Sequence, residues 1–408
     1  MSATATSGRA ASVVFAARAV LRLFYHSFFK RREIPRHQRT SVLFCVVFFA
    51  IFPLVELFNA ACLLLDEVLF PRWRHARIRQ PIFIIGAARS GTTILHRVMA
   101  EDEQRFFCFR TWEIAFPAIV QKKAVSLLGA LDRRAGGRLR ALFLRAEARR
   151  FRDLEHIHEV GFFLPEEDDK LFVHILASAD LAWLFPYGDF ARMARLDVAV
   201  DAPDQRAIMG FYVRCVRRQA YVAGGRRTFL SKNPMFSGKV ANLLREFPDC
   251  KIIYLVRNPL EVVPSSISLG RALVRTTRGV EADPALDEDI YEAIKFYYTY
   301  PLDQLSALPE DRFLVVKYED LMRQPGRVIE RIYGRFGFTL TAEFAERLEQ
   351  EAAKMREHRS RHEYSLDRSS VTRERVLADL HPIFDRFAFT GPAPANSPRS
   401  PGAGMRDS

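Results

Sequence analysis

Short apolar runs alternate with longer amphipathic stretches through most of the chain. Residues 82–86 (IFIIG), 227–231 (RTFLS), 251–256 (KIIYLV) and 312–317 (RFLVVK) are brief and rich in β-branched and aromatic residues, the composition of buried strands. Helical spacing of apolar residues predicts helices near 94–100, 206–223, 237–247, 260–270, 288–300, 325–336 and 342–357. Strands alternating with helices pack as a parallel sheet covered on both faces, so the expected fold is a three-layer α/β sheet flanked by helices. The stretch 114–205 interrupts this rhythm, reads as mostly helical, and is expected to form a cap over the site. Residues 391–408 are rich in Pro, Gly and Ser and predict a disordered tail.

The first 75 residues follow a different pattern. In 13–30, Val14, Ala17, Leu21, Phe24 and Phe28 recur at helical spacing among basic residues, as in a helix lying on an anionic membrane. The plain alternative is an amphipathic helix packed on the rest of the protein. Residues 42–55 (VLFCVVFFAIFPLV) are then uninterruptedly apolar, and LFNAACLLL resumes after Glu56. A spanning helix needs about 20 apolar residues. Residues 42–65 would reach that length only with Glu56 and Asn59 inside the bilayer and with Pro53 kinking the helix. A monotopic helical hairpin dipping into one leaflet is therefore the expectation, ahead of a true span. The apolar run starts too late for a signal peptide. Were it to span, the basic flank before it would keep the N-terminus cytoplasmic.

Composition sharpens this picture. The chain has 408 residues, 49% hydrophobic and 27% charged, which is globular and excludes a wholly disordered or fibrous chain. The net charge of +13 is concentrated in two places. Residues 1–40 carry +7, and residues 131–152 carry +6, with eight Arg against Asp132 and Glu147. A nucleic-acid-coating protein spreads basic charge over its main domain, so nucleic acid is not an expected partner. Five cysteines, widely spaced and without a CxxC, argue against a disulfide framework or zinc site and favour a reducing compartment. No convincing metal-ligand cluster is present, and no metal is expected.

The candidate chemistry begins after the first predicted strand, at Gly86-Ala87-Ala88-Arg89-Ser90-Gly91-Thr92-Thr93. Strand, Gly-rich turn and helix aim free backbone N–H groups at a phosphate. The spacing is that of a P-loop, but Thr92 stands where nucleotide triphosphatases have Lys, and the cation lies inside the loop as Arg89. A second set follows the strand 251–256, where Arg257 at the strand end precedes Ser265 by eight residues. A guanidinium there faces the crevice in which open α/β sheets bind ligands and suits a phosphate dianion. A third is Lys232 in Phe229-Leu230-Ser231-Lys232-Asn233-Pro234, and a fourth is Tyr318 in Lys317-Tyr318-Glu319-Asp320-Leu321.

PIFIIGAARSGTT resembles the 5′-phosphosulfate loop of the sulfotransferases that use PAPS (3′-phosphoadenosine 5′-phosphosulfate), with Ala88 where Pro is usual. Arg257 and Ser265 resemble that family's 3′-phosphate motif, and Lys232 the K-[SD]-P element of the bacterial-type and tyrosylprotein branches. The resemblance implies a P-loop-like sheet over residues 80–388. It implies cofactor contacts from Arg89, Ser90, Gly91, Thr92, Thr93, Arg257, Ser265 and Tyr318. Arg89 and Lys232 would stabilise charge on the leaving oxygen.

Cytosolic members place a His base two residues after the Lys. Here that position is Pro234. The tyrosylprotein branch places a Glu beyond the loop helix, and Glu113 matches it, ahead of His156, His158, Glu159, the acidic run Glu166–Asp169 and His362. The implied activity is sulfuryl transfer from PAPS to a hydroxyl, ahead of an amine, on a lipid or hydrophobic acceptor. The enzyme would sit at a membrane surface with its catalytic domain on the cytoplasmic face. The competing readings are a P-loop kinase of a small molecule and a membrane-docked nucleotide-binding scaffold.

Overall fold

The computed structural model describes residues 2–35, 38–151, 161–187, 189–357, 366 and 369–389. The candidates His156, His158, Glu159 and His362 and the tail 391–408 lie outside the described residues. Two long helices come first, α1 (Ser2–Phe28) and α2 (Val42–Leu69). Then β1 (Ile82–Gly86) leads into α3 (Thr92–Ala100), followed by β2 (Phe106–Phe107), α4 (Thr111–Ala115), α5 (Ile119–Arg134) and α6 (Arg138–Phe151). Three 3-10 segments, Asp168–Ile175, Ala179–Trp183 and Asp189–Arg195, precede α7 (Leu196–Ala199) and α8 (Ala202–Val222). Next, β3 (Thr228–Lys232) precedes α9 (Val240–Glu246), and β4 (Lys251–Val256) precedes α10 (Pro259–Arg278) and α11 (Ala285–Ser306). Finally, β5 (Phe313–Lys317) is followed by α12 (Tyr318–Arg323), α13 (Pro325–Phe336), α14 (Ala342–Glu357), α15 (Arg373–Asp379) and α16 (His381–Phe387).

The sheet runs β2-β3-β1-β4-β5, and every neighbouring pair is parallel. Alternate residues of β1 enter opposite cores, which is why its whole length is apolar. Phe83 and Ile85 pack with α8 to α11, while Ile82 and Ile84 pack with α3 and α13. The three predicted layers are present. Register places Ile84 beside Lys232 and Gly86 beside Leu255, so the ends of β3, β1 and β4 deliver Lys232, the glycine loop and Arg257 side by side.

Two differences from expectation have local causes. The two-residue β2 is too short to show a period. The stretch 114–205 is helical only in part, because its second half is broken into 3-10 pieces by Asp, Ser and Pro. These residues hold backbone groups locally, as Ser178 does in accepting from the Asp180 N–H at 3.2 Å.

The N-terminal helices form an antiparallel hairpin, with Phe24 5.1 Å from Phe49 and Arg9 3.8 Å from Glu67. The hairpin does not stand apart from the sheet domain. On α1, Phe15 and Leu23 are buried, Ser12 donates to the Ala207 carbonyl at 2.5 Å, and Arg18 pairs with Asp204. On α2, the polar residues that would have burdened a spanning helix all face inward. Glu56 meets His174 Nδ1 at 2.8 Å, Asn59 accepts from Gln121 at 2.8 Å, and Asp66 accepts from Arg218 Nε at 2.9 Å. Asp66 also caps α5, accepting from the N–H groups of Ile119 and Val120 at 2.8 and 2.9 Å. The helix is long and apolar enough to cross a membrane, yet only 11% of its most apolar window is buried. Its outer face leaves Leu43, Ile51, Leu54, Leu57 and Phe58 exposed.

Candidate active site

The loop after β1 is shaped by its two glycines. Gly86 has φ +147°, and a Cβ there would lie 2.4 Å from the Leu255 carbonyl oxygen. Gly91 has φ +92°, and a Cβ there would lie 2.7 Å from Tyr318 Cδ2. Between them Arg89 takes a left-handed conformation, φ +68°, which costs a residue with a Cβ about 1–2 kcal/mol. Ser90 is fully buried, and both its N–H and its hydroxyl go to the Ala87 carbonyl, at 3.3 and 2.6 Å. Its side chain therefore builds the turn. Gly91 is the N-cap of α3 and supplies no capping side chain, which leaves the first N–H groups of α3, from Thr92 and Thr93 onward, facing the loop uncapped.

The predicted cofactor residues meet around this loop. Arg89 Nε donates to Ser265 Oγ at 3.1 Å, joining the two motifs directly. Arg257 Nη1 donates to the Arg89 carbonyl at 3.0 Å, and its guanidinium carbon lies 4.1 Å from the centre of the Tyr318 ring. The other side of that guanidinium donates to Glu261 Oε2 at 2.9 and 2.6 Å. Arg89, Gly91, Arg257, Ser265 and Tyr318 thus form one patch at the C-terminal ends of β1, β4 and β5.

Lys232 is 1% exposed and donates from Nζ to Glu167 Oε1 at 2.6 Å. Glu167 keeps 24% of its side chain exposed, so the pair is buried at the ammonium and open at the carboxylate. Next to it on α3, His96 is buried, and neither of its ring nitrogens meets hydrogen-bond geometry. Burial and the Lys232 cation push its pKa down to about 3, outweighing the backbone of Leu230, so the ring is neutral. Asn233 Nδ2 and Ser266 Oγ, one residue beyond Lys232 and Ser265, are likewise buried without partners among the described residues.

The acidic run, which sequence alone reads as a solvated face, is inside the protein. Asp168 accepts from Tyr212 at 2.5 Å and Ser231 at 3.0 Å, and burial raises its pKa to about 7. Asp169 accepts from Ser178 at 2.7 Å and from the buried Lys239 at 2.9 Å. Together they fasten the 3-10 segment to the end of β3 and bring Glu167 to Lys232.

Glu113 has a different task. It is buried in the first turn of α4, where its Oε2 accepts from the Arg110 N–H at 2.9 Å and closes the helix start. Its segment runs beside the one that ends at Glu167, with Thr111 N on the Leu164 carbonyl at 3.2 Å and Glu166 N on that of Phe109 at 3.0 Å. Sequence reading ranked Glu167 below Glu113 and did not single out His96 or Lys239. Among the described residues no group of three or more His, Cys, Asp or Glu is placed to hold a metal ion.

A sequence model described as "Sulfotransferase family" matches residues 81–343. Omega-hydroxy-beta-dihydromenaquinone-9 sulfotransferase Stf3 of Mycobacterium tuberculosis is 26% identical over 341 residues, 79% of each chain. Carbohydrate sulfotransferase 5 of mouse is 34% identical over 119 residues, 26% of this chain and 28% of that one. Among solved structures, sulfotransferase STF9 of Mycobacterium avium superposes with a TM-score of 0.63 at 19% identity, over 80% of this chain and 82% of that one. STF1 of Mycobacterium tuberculosis gives 0.62 at 21% identity, over 90% and 92%. These two likenesses are of fold.

Proposed function

Because the chain belongs to the sulfotransferase family, we propose that it moves a sulfuryl group from PAPS to a hydroxyl on a lipid acceptor at a membrane surface. The observation that carries the cofactor reading is the direct contact of Arg89 with Ser265 under the Arg257–Tyr318 stack. Two phosphate-type motifs 168 residues apart are one surface. The unpartnered Asn233 Nδ2 and Ser266 Oγ and the uncapped start of α3 are donors of the kind an anionic nucleotide satisfies. Arg89, Gly91, Thr92 and Thr93 would hold its 5′ side, with Ser90 shaping the turn between them rather than contacting it, and Arg257, Ser265 and Tyr318 its 3′ side. Bound PAPS supplies the sulfuryl group and the bisphosphate that leaves.

Lys232 brings a buried cation, which stabilises developing negative charge more strongly than an exposed one. Glu167 is the carboxylate beside that cation. We assign it the acceptor's hydroxyl proton ahead of Glu113, whose carboxylate is occupied at the start of α4.

The acceptor reading draws on the menaquinone with an omega-hydroxyl in the mycobacterial relative's name and on the exposed apolar face of α2. On this reading the stretch 114–205 would be the acceptor-binding cap and residues 1–75 the membrane-associating segment. The cytoplasmic face is favoured because PAPS is made in the cytosol. Transfer of label from sulfur-labelled PAPS into a fractionated cell extract, with the product identified by mass, tests the whole reading. A labelled lipid alcohol is the expected product. Label only in soluble sugars would reject the lipid acceptor, and no transfer at all would reject the cofactor.

A further inference from the structure

A cleft of about 330 Å³ runs between α1 and α2, apart from the residues of the transfer site. The hairpin is closed at one end by Phe24 against Phe49 and at the other by Arg9 near Glu67. Between these ends the small side chains Ala16, Ala17 and Ala60 leave space between the helices, and Val20, Phe52 and Leu63 complete an apolar lining. The floor is α8. The opposite side of α8 puts Tyr212 against Phe236 at 5.2 Å, so cleft and sheet lie on opposite sides of that helix. The exposed wall is mostly apolar, and of the polar residues that line it Glu56, Asn59, Glu67, His174 and Arg218 are already paired, which gives the cleft the form of a small-molecule site.

One polar group in it stands out. Arg214 projects from α8 into the cleft and donates from Nη2 to Ser12 Oγ at 2.8 Å. It has no ion pair among the described residues. The acidic groups nearby are already engaged: Glu56 with His174, Glu67 with Arg9, Arg74 and Arg218, and Asp66 with Arg218 and the start of α5. Burial, with Arg218 and Arg9 adding to it, pushes the Arg214 pKa down to about 10. A cation held in apolar surroundings without a counter-ion is costly, and an anion delivered with an apolar chain would relieve that cost and fill the cleft.

We propose that the α1–α2 cleft is a lipid site, holding one acyl chain of an anionic bilayer phospholipid with its phosphate on Arg214. The proposal rests on the membrane placement above, since the exposed outer face of α2 is what brings the cleft to a bilayer, but it requires nothing of the acceptor or of PAPS. The site would make the hairpin a lipid-filled wedge and so bind the enzyme preferentially to anionic membrane.

The test uses the full chain on vesicles doped with phosphatidylglycerol carrying a photoreactive group on one acyl chain, with cross-links mapped by mass spectrometry. Cross-links are expected at Ala16, Ala17 and Ala60. Arg214→Gln should lower them about tenfold, the loss expected for one charge-assisted hydrogen bond, and a diacylglycerol analogue, which lacks the phosphate, should label the wild type as weakly. Ala60→Phe, which fills the cleft and leaves the charge, should lower labelling by both lipids. It serves if Arg214→Gln fails to fold. Labelling confined to the outer residues Leu54, Leu57 and Phe58, or unchanged by both substitutions, overturns the site. Binding of 3′,5′-bisphosphate to Ala60→Phe should be unchanged, which separates failure of this site from failure of the transfer reading.

Discussion

Lys232 and Glu167 hold each other at 2.6 Å across 65 residues of sequence, the Lys232 side chain buried and the Glu167 side chain partly exposed. The proposed general base and the proposed charge stabiliser are thereby kept within one hydrogen bond.

Glu167→Gln is expected to lower kcat by about 10²–10⁴ while leaving bisphosphate affinity intact. Glu113→Gln should instead cost about 1 kcal/mol of stability through the weakened start of α4, with turnover largely kept. Sulfur-label transfer and denaturant titration on both variants decide the assignment. Collapse of turnover in Glu113→Gln alone would return the role of base to Glu113.

Arg257→Ala should weaken binding of 3′,5′-bisphosphate by about a hundredfold, the scale of losing hydrogen bonds to a charged group. Arg257→Lys should recover little, because a point charge can neither stack on Tyr318 nor reach the Arg89 carbonyl while facing a phosphate. Isothermal titration measures both, and unaltered affinity would remove Arg257 from the site.

Gly91→Ala forces a Cβ within 2.7 Å of Tyr318 at a φ of +92°. It should lower stability by about 1–2 kcal/mol and impair nucleotide binding. Adding Tyr318→Ala relieves the contact and leaves the backbone strain, so the double variant should regain stability only in part. Thermal unfolding with and without bisphosphate reads both effects.

Asp66→Ala leaves the 4%-exposed Arg218 side chain without its buried carboxylate and the start of α5 without its cap. About 3–5 kcal/mol of stability should be lost, measurable by denaturant unfolding. A loss within that expected for an exposed ion pair would mean that α2 is only loosely attached.

Asp168 titrates near 7 in the folded chain, raised by burial from the ordinary carboxylate value near 4. Between these values the folded state binds more protons than the unfolded one, so its contribution to stability falls as pH rises from about 4 to about 7 and is level above. Asp168→Asn should flatten this part of the pH–stability curve.

Local pattern is enough for four of the five strands and for the patch where the two phosphate-type motifs meet. Each strand of the patch ends in its own motif, and parallel strands necessarily bring their C-terminal ends together, so Arg89, Arg257 and Ser265 could be grouped from order and spacing alone. Glu167 could not be found that way. Four consecutive acids read as surface unless their partners are known, and those partners, Tyr212, Ser231, Lys232 and Lys239, come from three later elements. The partners of Glu56 and Asn59 in α2 are hidden for the same reason: a polar residue in an apolar run looks like a defect until His174 and Gln121 are placed opposite it, as Arg218 is opposite Asp66.

That last arrangement has a consequence for synthesis. Asp66 leaves the ribosome 152 residues before Arg218, its principal partner, and the apolar run of α2 leaves with it. Until α5 and the segment carrying His174 follow, only α1 can cover the inner face of α2, Arg218 joins it last, and among the described residues nothing covers the outer face. The nascent hairpin is therefore aggregation-prone for much of translation unless a chaperone or a bilayer receives it first. Production in a cell-free system should yield soluble enzyme only when vesicles or mild detergent are present from the start of translation, and not when they are added after it.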